Sequence, residues 1–491
     1  MNEGQYHALC KACDQLLLAP EAGIERVAIP WLHVIRAHPI FLDGYADIFD
    51  AGKASGARPL RNLASAVRHL AKSLVGGGQP WVGEAPQKTD VLIVSHLVNE
   101  SFAGQENDFY YGSTATELAA QGFSVTIALI NYTDTPASTL AARWKQVKTP
   151  RLVLSPVLVP AAERSLYSRA RAEARCLREV SRAASSDLDR RVAARAACEA
   201  TGGGAVSALR MGEQVKAIVA RLRPKAIVVT YEGHSWERIA FAAARTAAPG
   251  IVCIGYQHAA LFNMQHAVQR KLGEGLNPDV VLTSGEVSKL RLENNPELAG
   301  VYIAALGSNR SFARQTAKPL PAGKRACIVL PEGVDSECRL LFGYSLACAQ
   351  VMPEIEFIWR LHPNMSYETL KKQNPAFREL PSNIVLSQQS LADDIARSHW
   401  GLYRGSTAIV QAAVSGVRPV YLNTPGEISI DTLYEIKTWR AEVTEVADLR
   451  ALIDADDANS ETADRVQDYC EHMFTPLNVR VLAACVNGGR N

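Results

Sequence analysis

The chain has 491 residues, 47% of them hydrophobic and 21% charged, with a formal net charge of +2. That length suggests two or three domains, and that composition excludes disorder over most of the chain. The 52 basic residues are nearly balanced by 50 acidic ones. Nothing in that balance demands a nucleic-acid partner, which usually needs a clustered basic face, so no such partner is expected. The basic stretch 169–182 alternates with Glu and Ala and reads as a solvated helix face.

Ten cysteines are scattered through the chain. Cys10 and Cys13 form a CxxC with no second pair and no matching His, so they read as two buried thiols rather than a zinc site. Cys253, Cys327 and Cys348 lie in apolar runs and read as core thiols. Without a secretory signal, this pattern implies a reducing, cytoplasmic setting. No run of about 18 apolar residues is present. A membrane-bound acceptor would therefore be met by peripheral contact.

Residues 1–86 read as a helical N-terminal segment, ending at a Gly-Gly-Gly and Pro80. Strand-like apolar runs then alternate with helical ones. Residues 90–95 and 123–130 read as strands around a helix at 113–121. Residues 160–222 read as helices broken at Gly202-Gly203-Gly204. Strands follow at 226–230, 251–256, 280–283 and 301–305, with helices at 235–247 and 288–294 between them. Residues 311–324, with their Lys-Pro-Leu-Pro, read as the interdomain connection. The rhythm then repeats, with strands at 327–330, 356–360, 384–386, 400–403 and 419–422. The last 30 residues read as helices packing back across the domains. The expected class is α/β and GT-B-like: the helical segment 1–86, a first Rossmann-like domain at 87–315, and a second at 316–491 with C-terminal helices. Ligands of such sheets bind outside the carboxyl ends of the strands.

Three segments at such ends carry candidate chemistry. In Leu402-Tyr-Arg-Gly-Ser-Thr, a strand delivers the chain to Gly405, and Ser406 suits an N-cap. A helix start offers free N–H groups to a phosphate, with the Ser406 and Thr407 hydroxyls and Arg404 beside it. Gly416 suits the left-handed position after the helix. In Trp359-Arg-Leu-His-Pro, alternation puts Arg360 and His362 on one side, and Pro363 stops the strand. His362 there can donate to a phosphate oxygen or protonate a leaving group. In Thr230-Tyr-Glu-Gly-His, Glu232 lies in the strand-to-helix turn. Gly233 lets the backbone pass closely, and Glu232 suits a general base for an acceptor hydroxyl. His234 is a second polar candidate.

Gln257 and His258, Ser308 and Arg310, and Gly333 lie at further strand ends, as substrate or nucleotide contacts. Each motif alone is an ordinary cap or turn. Their shared placement at strand ends is what argues for a site.

In order and type, Glu232-Gly233, His362-Pro363 and Ser406-Thr407 resemble the motifs of GT-B glycosyltransferases that use CMP-activated acidic sugars. These are the bacterial sialyltransferases, polysialyltransferases and Kdo transferases, and the chain also looks like surface carbohydrate biosynthesis proteins. The resemblance covers residues 90–440. It implies Glu232 as the acid–base or nucleophilic carboxylate, and His362, Ser406 and Thr407 on the CMP phosphate. It implies a CMP-sugar donor and a glycan or glycolipid acceptor at the inner membrane, with neither cofactor nor metal. Tyr231 stands where many sialyltransferases have a second acid, which leaves inversion or retention open. CDP-polyol (teichoic-type) transferases share the Arg-x-His-Pro segment, but usually have an acid where this chain has Gly405. A UDP-sugar epimerase and a non-catalytic polysaccharide-assembly protein stay open as other classes. The DxD-like Asp454-Ala-Asp456 reads as a solvated turn.

Overall fold

The computed structural model describes residues 1–50, 58–76, 78–144, 147–312, 314, 325–362, 365–455 and 460–489. Most of the expected interdomain connection at 311–324 therefore lies outside the described residues, as do Pro363 and Asp456.

The first sheet holds β1 (Trp81–Val82), β2 (Val91–Leu97), β3 (Val125–Asn131), β4 (Arg151–Leu154), β5 (Ala226–Thr230), β6 (Val252–Gln257), β7 (Val280–Thr283) and β8 (Tyr302–Ala305). The second holds β9 (Arg325–Leu330), β10 (Ile355–Trp359), β11 (Ile384–Leu386), β12 (Trp400–Tyr403), β13 (Arg418–Leu422) and β14 (Ala441–Val443). Their orders are β1-β4-β3-β2-β5-β6-β7-β8 and β11-β10-β9-β12-β13-β14. Every pairing is parallel except the edge pair β1–β4. Both halves are thus doubly wound, and each reverses direction once, between β2 and β5 and between β9 and β12. This is the α/β, GT-B-like class expected: two Rossmann-like sheets with added N-terminal helices.

Strand alternation sorts the core. Leu92 and Val94 face one cluster while Val91 and Ile93 face the other. In the second sheet, Cys327 and Val329 oppose Ala326, Ile328 and Leu330. Burial on both faces is why these runs read as continuous apolar stretches.

The N-terminal helices belong to the first half's core. Tyr6, Leu9, Cys10 and Cys13 of the Glu3–Leu17 helix share a cluster with Ile227 and Phe241. Asp14 pairs with Arg270 and His266, tying that helix to the loop after β6. At the other end, Asn478 N–H donates to Leu306 O at 2.7 Å and Ser308 N–H to Thr475 O at 2.8 Å. The final helix, Val479–Val486, buries Val479, Leu482 and Val486 in the first half's core. The chain therefore starts and ends on the same sheet. β1, β4 and β14, of two, four and three residues, are strands that the sequence reading does not include.

One buried ion pair fixes the helical layer. Arg210 of the Gly203–Leu222 helix donates to both Glu163 oxygens, at 2.6 and 2.8 Å, and both side chains are nearly fully buried. Removing one partner strands a buried charge. Glu163→Gln should destabilise the protein by about 3–5 kcal/mol in chemical denaturation. The double change Glu163→Leu with Arg210→Met should cost much less.

Candidate functional site

The first crevice opens where β2 and β5 part. Past Thr230 the chain turns at Glu232-Gly233-His234 into the Ser235–Ala247 helix. Glu237, in the first turn of that helix, holds the turn from inside. Its Oε2 accepts the backbone N–H groups of Glu232, Gly233 and His234 at 3.0, 2.8 and 2.8 Å. Gly233 has φ +88°, and a side chain there would strike the Ala267 carbonyl, so only glycine fits.

Glu232 lies in a cleft of about 580 Å³, with its side chain 14% exposed. Its Oε2 lies 3.3 Å from His234 Nε2 and 3.7 Å from Arg36. Tyr110, Tyr132 and Trp236 form an aromatic wall around His96, at ring separations of 5.1–5.8 Å. His258 packs 4.5 Å from Tyr110, and Arg310 lies over Phe109.

The charges follow from this packing. Burial alone would raise Glu232, but the His234 hydrogen bond and the charges of His258, His234 and Arg36 hold it well below the usual carboxylate range. Burial would lower His234, yet its bond to Glu232 leaves it raised. That pair contributes most stability at low pH within the histidine range and loses it as pH rises through the raised His234 value. Burial pushes His258 down, and pushes His96 down to about 4 with help from His234 and His258. Burial pushes Glu237 up to about 7, against the pull of His234 and the backbone donors.

The second crevice opens where β9 and β12 part. Glu332 and Gly333 follow β9, and Arg404 and Gly405 follow β12. Arg404 is 97% buried (3% exposed), with Glu337 at 3.5 Å and Glu427 at 2.9 Å. Its Nη1 has no hydrogen-bond partner among the described residues. Glu332 lies against Gly405, where a methyl group would overlap its carboxylate. His362 packs its ring on Gly333, where a methyl group would come within 2.5 Å of Nδ1. Burial lowers His362, and Glu332 opposes that shift. Burial raises Glu337, and Arg404 opposes it.

A loop from the N-terminal segment joins the two crevices. Arg36 meets Glu232, and His38 Nε2 meets Glu332 at 3.1 Å. Two residues of chain keep their backbones within about 7 Å of each other. The loop leaves a 3-10 turn through Val34, at φ 48° and ψ 55°, a left-handed conformation that costs a β-branched residue about 1–3 kcal/mol. The neighbouring His33 is buried and bonded to Val27 O at 2.7 Å.

The structure brings Glu232, Gly233, His234, His258 and Arg310 together in the first crevice, and Gly333, His362 and Arg404 at the second. Arg360 turns away into an ion pair with the buried Asp394 at 2.7 Å. Gln257 donates to Ala259 O, and Ser308 is buried beneath Thr475. The helix cap expected at Ser406 falls one residue later, at Thr407, and makes no side-chain capping bond. Gly416 is left-handed, as its place after the helix requires. Asp454 is exposed and paired with Arg450. Sequence reasoning missed Arg36, His38, His96, Glu237, Glu332 and Glu337. His96 and Glu332 could have been found by the strand-end rule that found Glu232.

No protein-family model and no curated protein sequence matches the chain. Solved structures overlap it loosely. The glycotransferase of kitacinnamycin is 14% identical over 79% of this chain and 95% of its own, at TM-score 0.46. CalG4, the calicheamicin glycosyltransferase, is 13% identical over 82% and 98%, at 0.47. A protein of Listeria monocytogenes described as a UDP-N-acetylglucosamine 2-epimerase is 12% identical over 81% and 96%, at 0.46. At such low identity and overlap the likeness carries no argument about the reaction. The architecture stands on the strand orders above.

Glu237 gives the crevice a measurable signature. An acid whose value is raised on folding, here from 4.5 to about 7, makes stability fall as pH rises between those limits. Glu237→Gln should remove that slope in unfolding measured across the same range, while Asp394→Asn, outside the crevice, should leave it.

Proposed function

We propose that the chain is a glycosyltransferase moving an acidic sugar, of Kdo or sialic type, from a CMP donor to a surface polysaccharide or glycolipid. The observation that carries this reading is the composition of the first crevice. One fully ionised carboxylate, Glu232, is met there by Arg36, with Arg310 lining the same crevice and Glu237, raised to about 7, buried in its wall. Cations in excess over one carboxylate suit an anionic sugar.

A carboxylate held so low is a weak proton acceptor and a strong counter-charge. In this reading His234 takes the acceptor hydroxyl's proton and Glu232 stabilises the resulting imidazolium. Arg404 and His362 meet the CMP phosphate as it leaves, and Glu332 must yield its place to it. A single phosphate leaves no pyrophosphate charge for a metal to neutralise, so a chelator should not slow transfer.

A second reading is a UDP-sugar epimerase. It is favoured by the carboxylates Glu332, Glu337 and Glu427 around the second crevice. An epimerase would interconvert its UDP-sugar without any acceptor.

Glu232→Gln and His362→Ala should each lower kcat by about 100-fold or more in an assay of sugar release from CMP-Kdo or CMP-sialic acid with acceptor present. Both variants should remain folded, with an unchanged circular dichroism spectrum as the check. Full activity in either would remove the assignment. A thermal-shift comparison should show stabilisation by CMP above UDP and GDP, by about 2.7 kcal/mol at a hundredfold excess over Kd. Preference for UDP would favour the epimerase reading.

A further inference from the structure

Residues 51–83 hold five Lys or Arg and no Asp or Glu. Within them lies the Arg58–Gly76 helix. One side of it is anchored: Asn62 donates to Cys198 O at 2.9 Å, His69 meets the Tyr167 hydroxyl at 3.3 Å, and Ala66 and Ser73 are buried. The other side is apolar and open. Leu63, Val67, Leu74 and Val75 are 53, 61, 70 and 94% exposed. Leu63, Val67 and Leu74 fall on one helical stripe, while Arg61, Arg68 and Lys72 fall on a second one, roughly 140° further around the helix.

The neighbouring helix, Pro160–Ala183, adds to this face. A groove of about 610 Å³ between the two helices is lined by Arg164, Arg171, Arg175 and Arg178 together with Leu63 and Leu70. Among the described residues none of these four arginines is in an ion pair. Arg169 on the same helix is paired twice, with Glu25 and Glu213 at 2.7 and 2.9 Å. Arginines that serve the fold are neutralised, and those on this face are not.

We infer that this face docks the protein on an anionic lipid bilayer, with the Leu63–Val67–Leu74 stripe in the headgroup–acyl boundary and the arginines on lipid phosphates. An exposed apolar stripe beside an arginine-lined groove fits the pattern of an interfacial helix, and each cation near an anionic surface adds about a fivefold preference. A second copy of this chain fits poorly, since a twofold contact would set Arg171, Arg175 and Arg178 of the groove against themselves. An acidic polysaccharide would use the arginines and leave the apolar stripe bare. The surface also lies beside the cleft: Thr201 borders the groove, and Gly204 borders the Glu232 crevice. The docking does not rest on the transfer reading, because a chain without activity would bind the bilayer equally.

The test is co-sedimentation of the full chain with phosphatidylcholine vesicles and with vesicles that also carry phosphatidylglycerol. Binding should require phosphatidylglycerol and weaken with salt. Arg171→Ala with Arg175→Ala should lower it about thirtyfold. Val67→Asp with Leu74→Asp should abolish it, although every arginine remains. Leu74→Trp should blue-shift its emission on the anionic vesicles. All these side chains are exposed, so the fold should be unaffected, with an unchanged circular dichroism spectrum as the check. Absence of binding, equal binding to both vesicles, binding that survives Val67→Asp with Leu74→Asp, or a dimer lost in that variant would overturn the inference.

Discussion

A parallel sheet that reverses its winding opens a crevice at the carboxyl ends of the two strands that part. This chain does so twice, at β2/β5 and at β9/β12, and its unusual chemistry collects at those two places. His96 and Glu232 stand at the first, and Glu332, Arg404 and Gly405 at the second. The polar groups are affordable there because backbone ends and helix starts can satisfy them. Deeper in either sheet the same carboxylates would meet only Val, Ile and Leu.

The N-terminal loop makes the two crevices interdependent. Arg36 meets Glu232, and His38 meets Glu332, so one short stretch of chain touches a carboxylate of each half. The left-handed Val34 that launches the loop is strained, and the packing of His33 and the buried Val34 side chain over-determines it. In the second crevice Glu332 sits where an incoming anion would need to be. Glu332, Glu337 and Glu427 surround Arg404 there, and Arg404 Nη1 and Glu332 Oε1 lack hydrogen-bond partners among the described residues. In the proposed reading, a phosphate entering this site would take the place that Glu332 holds.

Much of the fold could be read from the sequence because burial on both sheet faces writes long apolar runs. β5, β7, β11 and β12 begin and end where those runs do. The strands β1 and β14 could not be read, because Trp81, Val82, Ala441 and Glu442 are not buried and leave no apolar run. The candidate site was legible where one residue decided its own surroundings: Gly233 must be glycine, and Glu232 follows from it. It was illegible where a long-range partner decided. Arg360 and His362 are expected together at a strand end, yet the strand stops at Trp359 and Asp394, 34 residues away, claims the arginine. Arg36 and His38 carry no local signal, since their roles come from carboxylates about 200 and 300 residues further on.

The claim that the second crevice is the phosphate site is tested most directly by the affinity of CMP for the Glu332→Gln variant, measured by calorimetry at fixed pH and salt. Removing a charge about 4 Å from a bound phosphate in a partly buried site should relieve on the order of a few kcal/mol of repulsion. CMP should bind Glu332→Gln about tenfold or more tighter than the parent chain. Unchanged or weaker binding would contradict the account, because Glu332 would then not stand in the anion's place.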